Sequence, residues 1–424
     1  MLSKTKFLYL VLFLLSPVLS FSQEALTWDD CVKEASQNNK DLLTAEQTVK
    51  ADEDSHVASL GQFFPQVSFG ASISRSGVGG FNDALTSSQY DQSSGLSLNL
   101  SQDIFSYKDF SAVDQSNAQL DLARAELTQA KSQLSHDLKS DFYQLLYSQQ
   151  QIDLLNQILA RDQANQDLVQ MNFDGGTDNK GSLLQAQAAT AQDQFFVAQA
   201  QRALRVAQRQ LDQVLGRSQM EDLVVQGDFD TPTLSTEEPD FMKITVQTPA
   251  HLEAVAQLGL SDSQYETARG VFFPTLSANA SLSQDGWNFA ETNPGWSAGL
   301  NLSLPLFTGG KDLFNFKSAE ESKKGTEDAL ESTDLKTESQ LESDYAAYVD
   351  AVEEIKVQQF QVQAAETQEE IAKAEYLNGL LIFENWNQIE EALTNQQKTL
   401  LSDLLNVKTT EAAWELTQGK GEIP

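Results

Sequence analysis

The chain has 424 residues, with 61 acidic against 28 basic side chains and a formal net charge of −33. That balance excludes nucleic acid as a partner, because phosphate contacts need clustered Lys and Arg, and it serves either solubility or a pore interior that favours cations. The single cysteine, Cys31, excludes an intramolecular disulfide framework and reads as a packed thiol.

In chain order, residues 1–22 have the pattern of a signal peptide. Lys4 and Lys6 precede an apolar run, Phe7 to Leu15, too short to span a bilayer, and Ser20 and Ser22 suit a cleavage site. No later run approaches the roughly 20 apolar residues of a spanning helix. A first structural repeat is expected over 23–216, opening with a helix from about Thr27 to Gly61. A strand pair follows at 66–76 and 95–104. Val67, Phe69, Ala71 and Ile73 alternate with Ser68, Gly70, Ser72 and Ser74, and Leu96, Leu98 and Leu100 with Ser97, Asn99 and Ser101. The Gly-, Asn- and Ser-rich stretch Gly77–Ser94 suits an exposed hairpin connection. Residues 107–171 contain neither Pro nor Gly and predict one helix of about 100 Å. Its apolar positions Leu134, Leu138, Leu145, Ile152, Leu155 and Leu159 recur every three, four or seven residues, a narrow coiled-coil stripe. It stops at Gly175-Gly176, and a return helix is expected over 177–216.

Residues 217–247 are acidic, contain Pro232 and Pro239, and read as a linker. The second repeat, 248–419, runs through the same series: a helix near Thr248–Gly270, strands at 275–284 and 296–304 around the loop Gln284–Gly295, a long helix at 311–378, and a return helix at 380–418, leaving a tail at 420–424. Phe63-Phe64-Pro65 is repeated by Phe272-Phe273-Pro274, Phe173–Gly176 by Tyr376–Gly379, and Val214–Gly216 by Thr417–Gly419, all roughly 200 residues apart, far beyond a solenoid period. Phe63, Phe64, Phe105, Phe272, Phe273, Trp296 and Phe307 sit at strand ends, as girdle residues at a membrane interface do.

No catalytic constellation is present. His56, His136 and His251 lack metal-ligand spacing, and there is no phosphate-binding glycine loop, so neither an enzyme activity nor a cofactor is expected. Segments of about ten residues suit tilted strands in a bilayer. Four strands in lipid leave open edges whose unpaired backbone groups each cost several kcal/mol, so the chain must associate. Two copies give eight strands and three give twelve; a polar face of Ser, Gly and Asn neither fills a core nor blocks a lumen, which favours three. The fold class is therefore an α+β membrane protein with an internal two-fold repeat. The competing classes are a constitutively open porin and a soluble periplasmic coiled-coil rod.

The sequence resembles the TolC family of outer-membrane efflux and secretion channels over essentially the whole mature chain. The marks are Leu26-Thr27-Trp28, the duplicated Phe-Phe-Pro lead-in to each strand pair, Leu304-Pro305-Leu306-Phe307-Thr308-Gly309-Gly310 after the last strand, and the two aromatic-x-x-Gly turns. The resemblance implies a homotrimer with a 12-stranded outer-membrane β-barrel, four strands per chain, continuous with a 12-helix periplasmic α-barrel. It also implies an equatorial zone built from the linker and chain ends, and outer-membrane lipid around the barrel. Phe173, Gly175, Gly176, Thr177, Tyr376, Asn378, Gly379 and Leu380 would form periplasmic tips that dock an adaptor (membrane fusion) protein of an inner-membrane pump of RND or ABC type. Some members begin with an acylated cysteine, and no such signature is seen here. Members often carry aspartates six and nine residues after the second tip glycine. Asn385 and Gln388 stand there, with Ser182 and Gln185 in the first half. Asn172 and Glu375 replace the basic residue that often precedes the tip aromatic. Glu384 could supply the missing acid at the constriction, and Trp386 is either a steric constriction or a helix-packing residue.

Overall fold

The computed structural model describes residues 25–77, 90–220, 222–231, 234, 238–288, 291–421 and 423. The expected signal peptide and the centres of both predicted hairpin loops lie outside them. Among the described residues no helix is long and apolar enough to cross a membrane.

Two short helices open the chain, α1 (Trp28–Asn38) and α2 (Lys40–Leu60). Strands β1 (Gln66–Gly77) and β2 (Tyr90–Phe105) follow, then α3 (Tyr107–Asp174) and α4 (Lys180–Val214). After the linker come α5 (Phe241–Thr245), α6 (Pro249–Gly270), β3 (Thr275–Asn288), β4 (Glu291–Ser303), α7 (Lys311–Leu377) and α8 (Phe383–Gln418).

The strands form one antiparallel sheet in the order β1-β2-β3-β4. Its register aligns Phe69, Leu98, Leu282 and Trp296 in one row across all four strands, all of them exposed. On the other face the row is Ser68, Asn99, Ser281 and Ser297. The sheet is apolar on one side and lined by hydroxyls and amides on the other, and among the described residues each edge strand has one neighbour only.

The strands run past their predicted limits. β2 begins at Tyr90 rather than at 95, β3 continues to Asn288 rather than 284, and β4 spans 291–303 rather than 296–304. Gly, Asn and Pro suggested turns there, but ladder pairing with a neighbour, such as Gln284 with Pro294, holds the backbone extended. Pro294 is tolerated because β4 is an edge strand.

The long helices have lengths set by their punctuation. α3 has 68 residues, about 100 Å, capped by the Ser106 hydroxyl on the Asp109 amide. α7 has 67 residues, about 100 Å, and the small penalty of Gly325 does not break it. α3 packs on α4, α7 on α8, and the α3–α8 contact joins the halves; α2 and α6 both flank α3, and α6 also packs on α7.

The predicted helix Thr27–Gly61 is in fact two. It breaks at Asn39, whose carboxamide oxygen accepts from the amides of Asp41 and Leu42 to cap α2, while its NH2 donates to the Val214 carbonyl at 2.9 Å. α4 thus ends against the α1–α2 corner, and α4 and α2, 35 and 21 residues, run end to end beside α3. In the other half α8 ends against the start of α6. There Thr248, fully buried, caps α6 at the His251 amide. Both corners need glycine. Gly216 and Gly419 have φ of 74° and 71°, and a Cβ would lie 2.2 Å from the Asn38 carbonyl oxygen in one and 2.2 Å from Pro249 Cδ in the other.

The main core lies at this level. Cys31, Leu42, Leu138, Phe142, Leu145, Leu211 and Leu215 pack with Leu223 and Val225 of the linker and with Ile423 near the C-terminus. Burial pushes the Cys31 thiol up to about 12, so it is an inert packing group. The start of the chain pairs with the linker through Leu26 N–H to Val224 O and Gln226 N–H to Leu26 O, both 2.9 Å.

Gly216→Ala is expected to cost at least ~1–2 kcal/mol, because an L-residue is strained at positive φ and the methyl meets backbone. Thermal unfolding of the detergent-solubilised protein checks this. Gly259→Ala, in α6 with open space at its Cβ, should leave the midpoint unchanged or slightly higher.

Candidate functional site

At the far ends of α3 and α7 the chain reverses through two equivalent turns. Gly176 has φ 76°, its N–H donates to Phe173 O at 3.0 Å, and Thr177 N–H donates to Asn172 O at 2.9 Å. Gly379 has φ 73°, with Gly379 N–H to Tyr376 O at 3.0 Å and Leu380 N–H to Glu375 O at 2.9 Å. Both are Schellman motifs, which satisfy the last carbonyls of a helix and require an αL residue at the reversal. The motifs consume residues expected to be helical. α4 therefore starts at Lys180 rather than 177, capped by Asn179 on the Ser182 amide, and α8 starts at Phe383 rather than 380. α3 runs on to Asp174, beyond the expected 171, and α7 ends at Leu377.

The two turns are fastened to each other. Tyr376 is buried, its phenol donates to Asp178 Oδ2 at 2.7 Å, and it accepts from Asn172 Nδ2 at 3.0 Å. Burial, with the Asp178 carboxylate beside it, pushes this phenol up to about 12. Beneath it Tyr376 stacks on Trp386 at 4.6 Å, and Phe383, Val169, Leu183 and Ala372 complete an apolar plug against which Phe173 packs. An open cleft of about 660 Å³ lies between the turns, lined by Thr177, Asp178, Tyr376, Gly379, Phe383 and Glu384 among others.

The predicted tip residues therefore divide. Gly175, Gly176, Thr177, Asn378, Gly379 and Leu380 are exposed, Phe173 is half-buried, and Tyr376 faces inward. Met171, Leu377, Leu380 and Ile382 make the exposed ends apolar. Of the candidate constriction residues, Glu384, Asn385 and Gln388 share an exposed face of α8, and Gln185 is exposed on α4. Trp386 is 1% exposed and packs within the chain, where its ring completes the plug under Tyr376. Ser182 is likewise buried.

Sequence reasoning missed the partners of Tyr376 and a polar layer farther up the same helices, where Arg161 of α3 contacts Glu390 of α8. The spacing held a signal: Glu390 follows Phe383 and Trp386 at intervals of three and four, inside a stripe that is otherwise apolar. The three histidines are spread through the structure, His56 beside Ser116, His136 beside Asp137 and His251 beside Asp334. No metal-holding cluster of His, Cys, Asp or Glu exists among the described residues.

The model of the outer membrane efflux protein family matches residues 31–217 and 244–419. The chain is 26% identical over 301 residues to the probable outer membrane lipoprotein SilC of Salmonella typhimurium, the match spanning 68% of this chain and 63% of that protein. Its fold is similar to crystal structures of CusC, with a TM-score of 0.82 and 18% identity over 93% of this chain and 92% of that one. It is also similar to VceC of Vibrio cholerae, with a TM-score of 0.79 and 19% identity over 93% and 96% of the two chains. The open state of MtrE of Neisseria gonorrhoeae aligns with a TM-score of 0.81 and 17% identity over 93% and 89%.

Tyr376→Phe removes hydrogen bonds at the Asp178 carboxylate and the Asn172 amide, worth about 1.5 kcal/mol or more to the joined turns. Amide exchange in residues 170–185 and 372–388 is expected to speed about tenfold, with the overall melting point little changed. Unchanged exchange there would show that the phenol does not fasten the turns.

Proposed function

Because this chain belongs to the outer membrane efflux protein family, we propose that it is the exit duct of a tripartite efflux pump or type I secretion system. It conducts substrates passively from an inner-membrane transporter and its adaptor, across the periplasm and the outer membrane. One observation carries the reading: a four-stranded sheet with an exposed apolar face and single-neighbour edges sits at one end of helices about 100 Å long. In lipid such edges must find partners, since unsatisfied backbone groups there cost several kcal/mol each. Association of three copies closes twelve strands around a lumen wide enough for water, and the Ser, Gly and Asn face lines it. The helices of the same three copies continue the bore as a twelve-helix sheath.

In this reading the Schellman turns are the periplasmic tips. Met171, Leu377, Leu380 and Ile382 offer exposed apolar side chains there to the helical hairpins of an adaptor. Glu384, Asn385 and Gln388 face the passage at its narrowest level, and the acid of that ring is Glu384. Energy comes from the partner pump, of RND or ABC type, which also selects the cargo.

A strain lacking this protein is expected to lose pump-dependent drug tolerance or secretion; tolerance and secretion both unchanged for every substrate class would end the conduit reading. Gly379→Trp places a bulky ring in open space at the tip. It should abolish co-purification of the adaptor while chemical cross-linking still shows the same oligomer. Intact docking would move the tips elsewhere.

A further inference from the structure

Some 15–20 Å along the helices from the turns, the coiled-coil seams carry one carboxylate on each of four helices. On α3 the seam reads Ile158, Asp162, Asn165, Val169; on α8 it reads Phe383, Trp386, Glu390, Leu393. Asp193 occupies the corresponding stripe of α4, and Glu369 that of α7, seven residues before Tyr376. Seam positions are normally apolar, and a polar group there costs stability.

Each of these carboxylates keeps one oxygen without a partner, while Glu390 Oε1 accepts from Asn165 Nδ2 at 3.4 Å. Asp193, Glu369 and Glu390 are 6%, 8% and 5% exposed, and Asp162 Oδ1, Asp193 Oδ2, Glu369 Oε1 and Glu390 Oε2 are buried without a hydrogen-bond partner. Asp162 is set against Asp193, and Glu390 against Glu369, so acceptor meets acceptor. The charged neighbours are Arg161 of α3, in contact with Glu390 and bonded to Thr394 at 2.7 Å, Lys373 of α7, and Lys398 of α8. Lys398 rests over the Phe196 ring at 4.7 Å, and burial lowers its pKa. Glu391 of α8 is held apart by Asn387 at 2.6 Å. A cavity of about 250 Å³ opens beside the layer, lined by Asp162, Asp193, Phe196, Glu390 and Lys398 among others.

We infer that this layer is a proton-binding site: a proton on Asp162, donated to the facing Asp193 carboxylate, grips α3 to α4, and a proton on Glu390, donated to the facing Glu369 carboxylate, grips α7 to α8. A proton is the ligand that converts two facing acceptors into a donor and an acceptor at no cost in volume. Without it, like charges confront each other in a dry seam, the helix pairs loosen, and water enters the cavity. Burial above all raises Asp162 to about 7, with Asp193 adding to it. Burial also raises Glu390 to about 7 against the opposing pull of Arg161, with Glu369 adding to the rise. Because these values exceed the ordinary carboxylate range, the grip is complete below that range and is lost as pH rises through about 7. The site rests on the helix seams alone and holds whether or not the chain conducts.

Infrared difference spectroscopy of the full-length protein in detergent, titrated from about pH 6 to about pH 8, reads the proton directly. The wild type is expected to lose a protonated-carboxyl band with a midpoint near 7, and its melting point should fall by roughly 2–4 °C over the same range. Asp162→Asn with Glu390→Gln should remove the band and flatten that part of the melting curve. A wild type without the band, or a double variant that keeps it, would overturn the assignment and leave a register-setting polar layer. If the double variant fails to fold, Asp193→Asn should shift half of the band to lower pH, and an unshifted band would equally overturn the site.

Discussion

Backbone hydrogen bonding at the sheet edges governs what this chain can be. Among the described residues β1 and β4 each present one side to no neighbouring strand, while the row Phe69, Leu98, Leu282 and Trp296 makes one face fit for lipid. Water would satisfy those edges; hydrocarbon does not. The apolar face and the open edges are compatible only if other strands close the sheet. The proposed association of copies follows from that conflict more than from any side-chain contact, and α2, α3, α6 and α7 inherit the geometry because each adjoins a strand in the chain.

The long helices are made stiff by a second constraint. No single return helix covers α3, so α4 and α2 share its length, meeting where Asn39 bonds Val214 and Gly216 lies against Asn38. The equivalent junction of Gly419 with Pro249 serves α7. Each junction combines a Schellman reversal, a capped helix start and a glycine under steric contact, so chain breaks that would be weak points become the level of the main core. Linker residues Leu223 and Val225 and the terminal Ile423 are drawn into the same core.

Below that level packing becomes thinner and more polar. The tip plug of Tyr376, Trp386 and Phe383 is small, and the four seam carboxylates lie between it and the main core. A uniformly apolar seam would hold the helix pairs together more strongly. The fastening of Tyr376 to Asp178 and Asn172 is confined to the two turns.

Period-two alternation in the strands, unbroken 3.6-residue periodicity over nearly seventy residues, and αL-demanding glycines at fixed offsets are local properties, and the sequence alone determined them together with the family resemblance. Those patterns express backbone geometry and burial of a face, which neighbours in the chain already dictate. Only the tertiary structure decided what depends on distant contacts. Asn39 breaks a helix because Val214 waits for its amide, and Pro294 stays in a strand because β3 holds its other side. Trp386 turns inward because Tyr376 offers a ring to stack on. The seam carboxylates of four helices converge only when residues some two hundred positions apart are brought together. One chain's spacing can mark a carboxylate as misplaced in an apolar stripe, but it cannot say that the facing residue is another acid, and that juxtaposition gives the layer its chemistry.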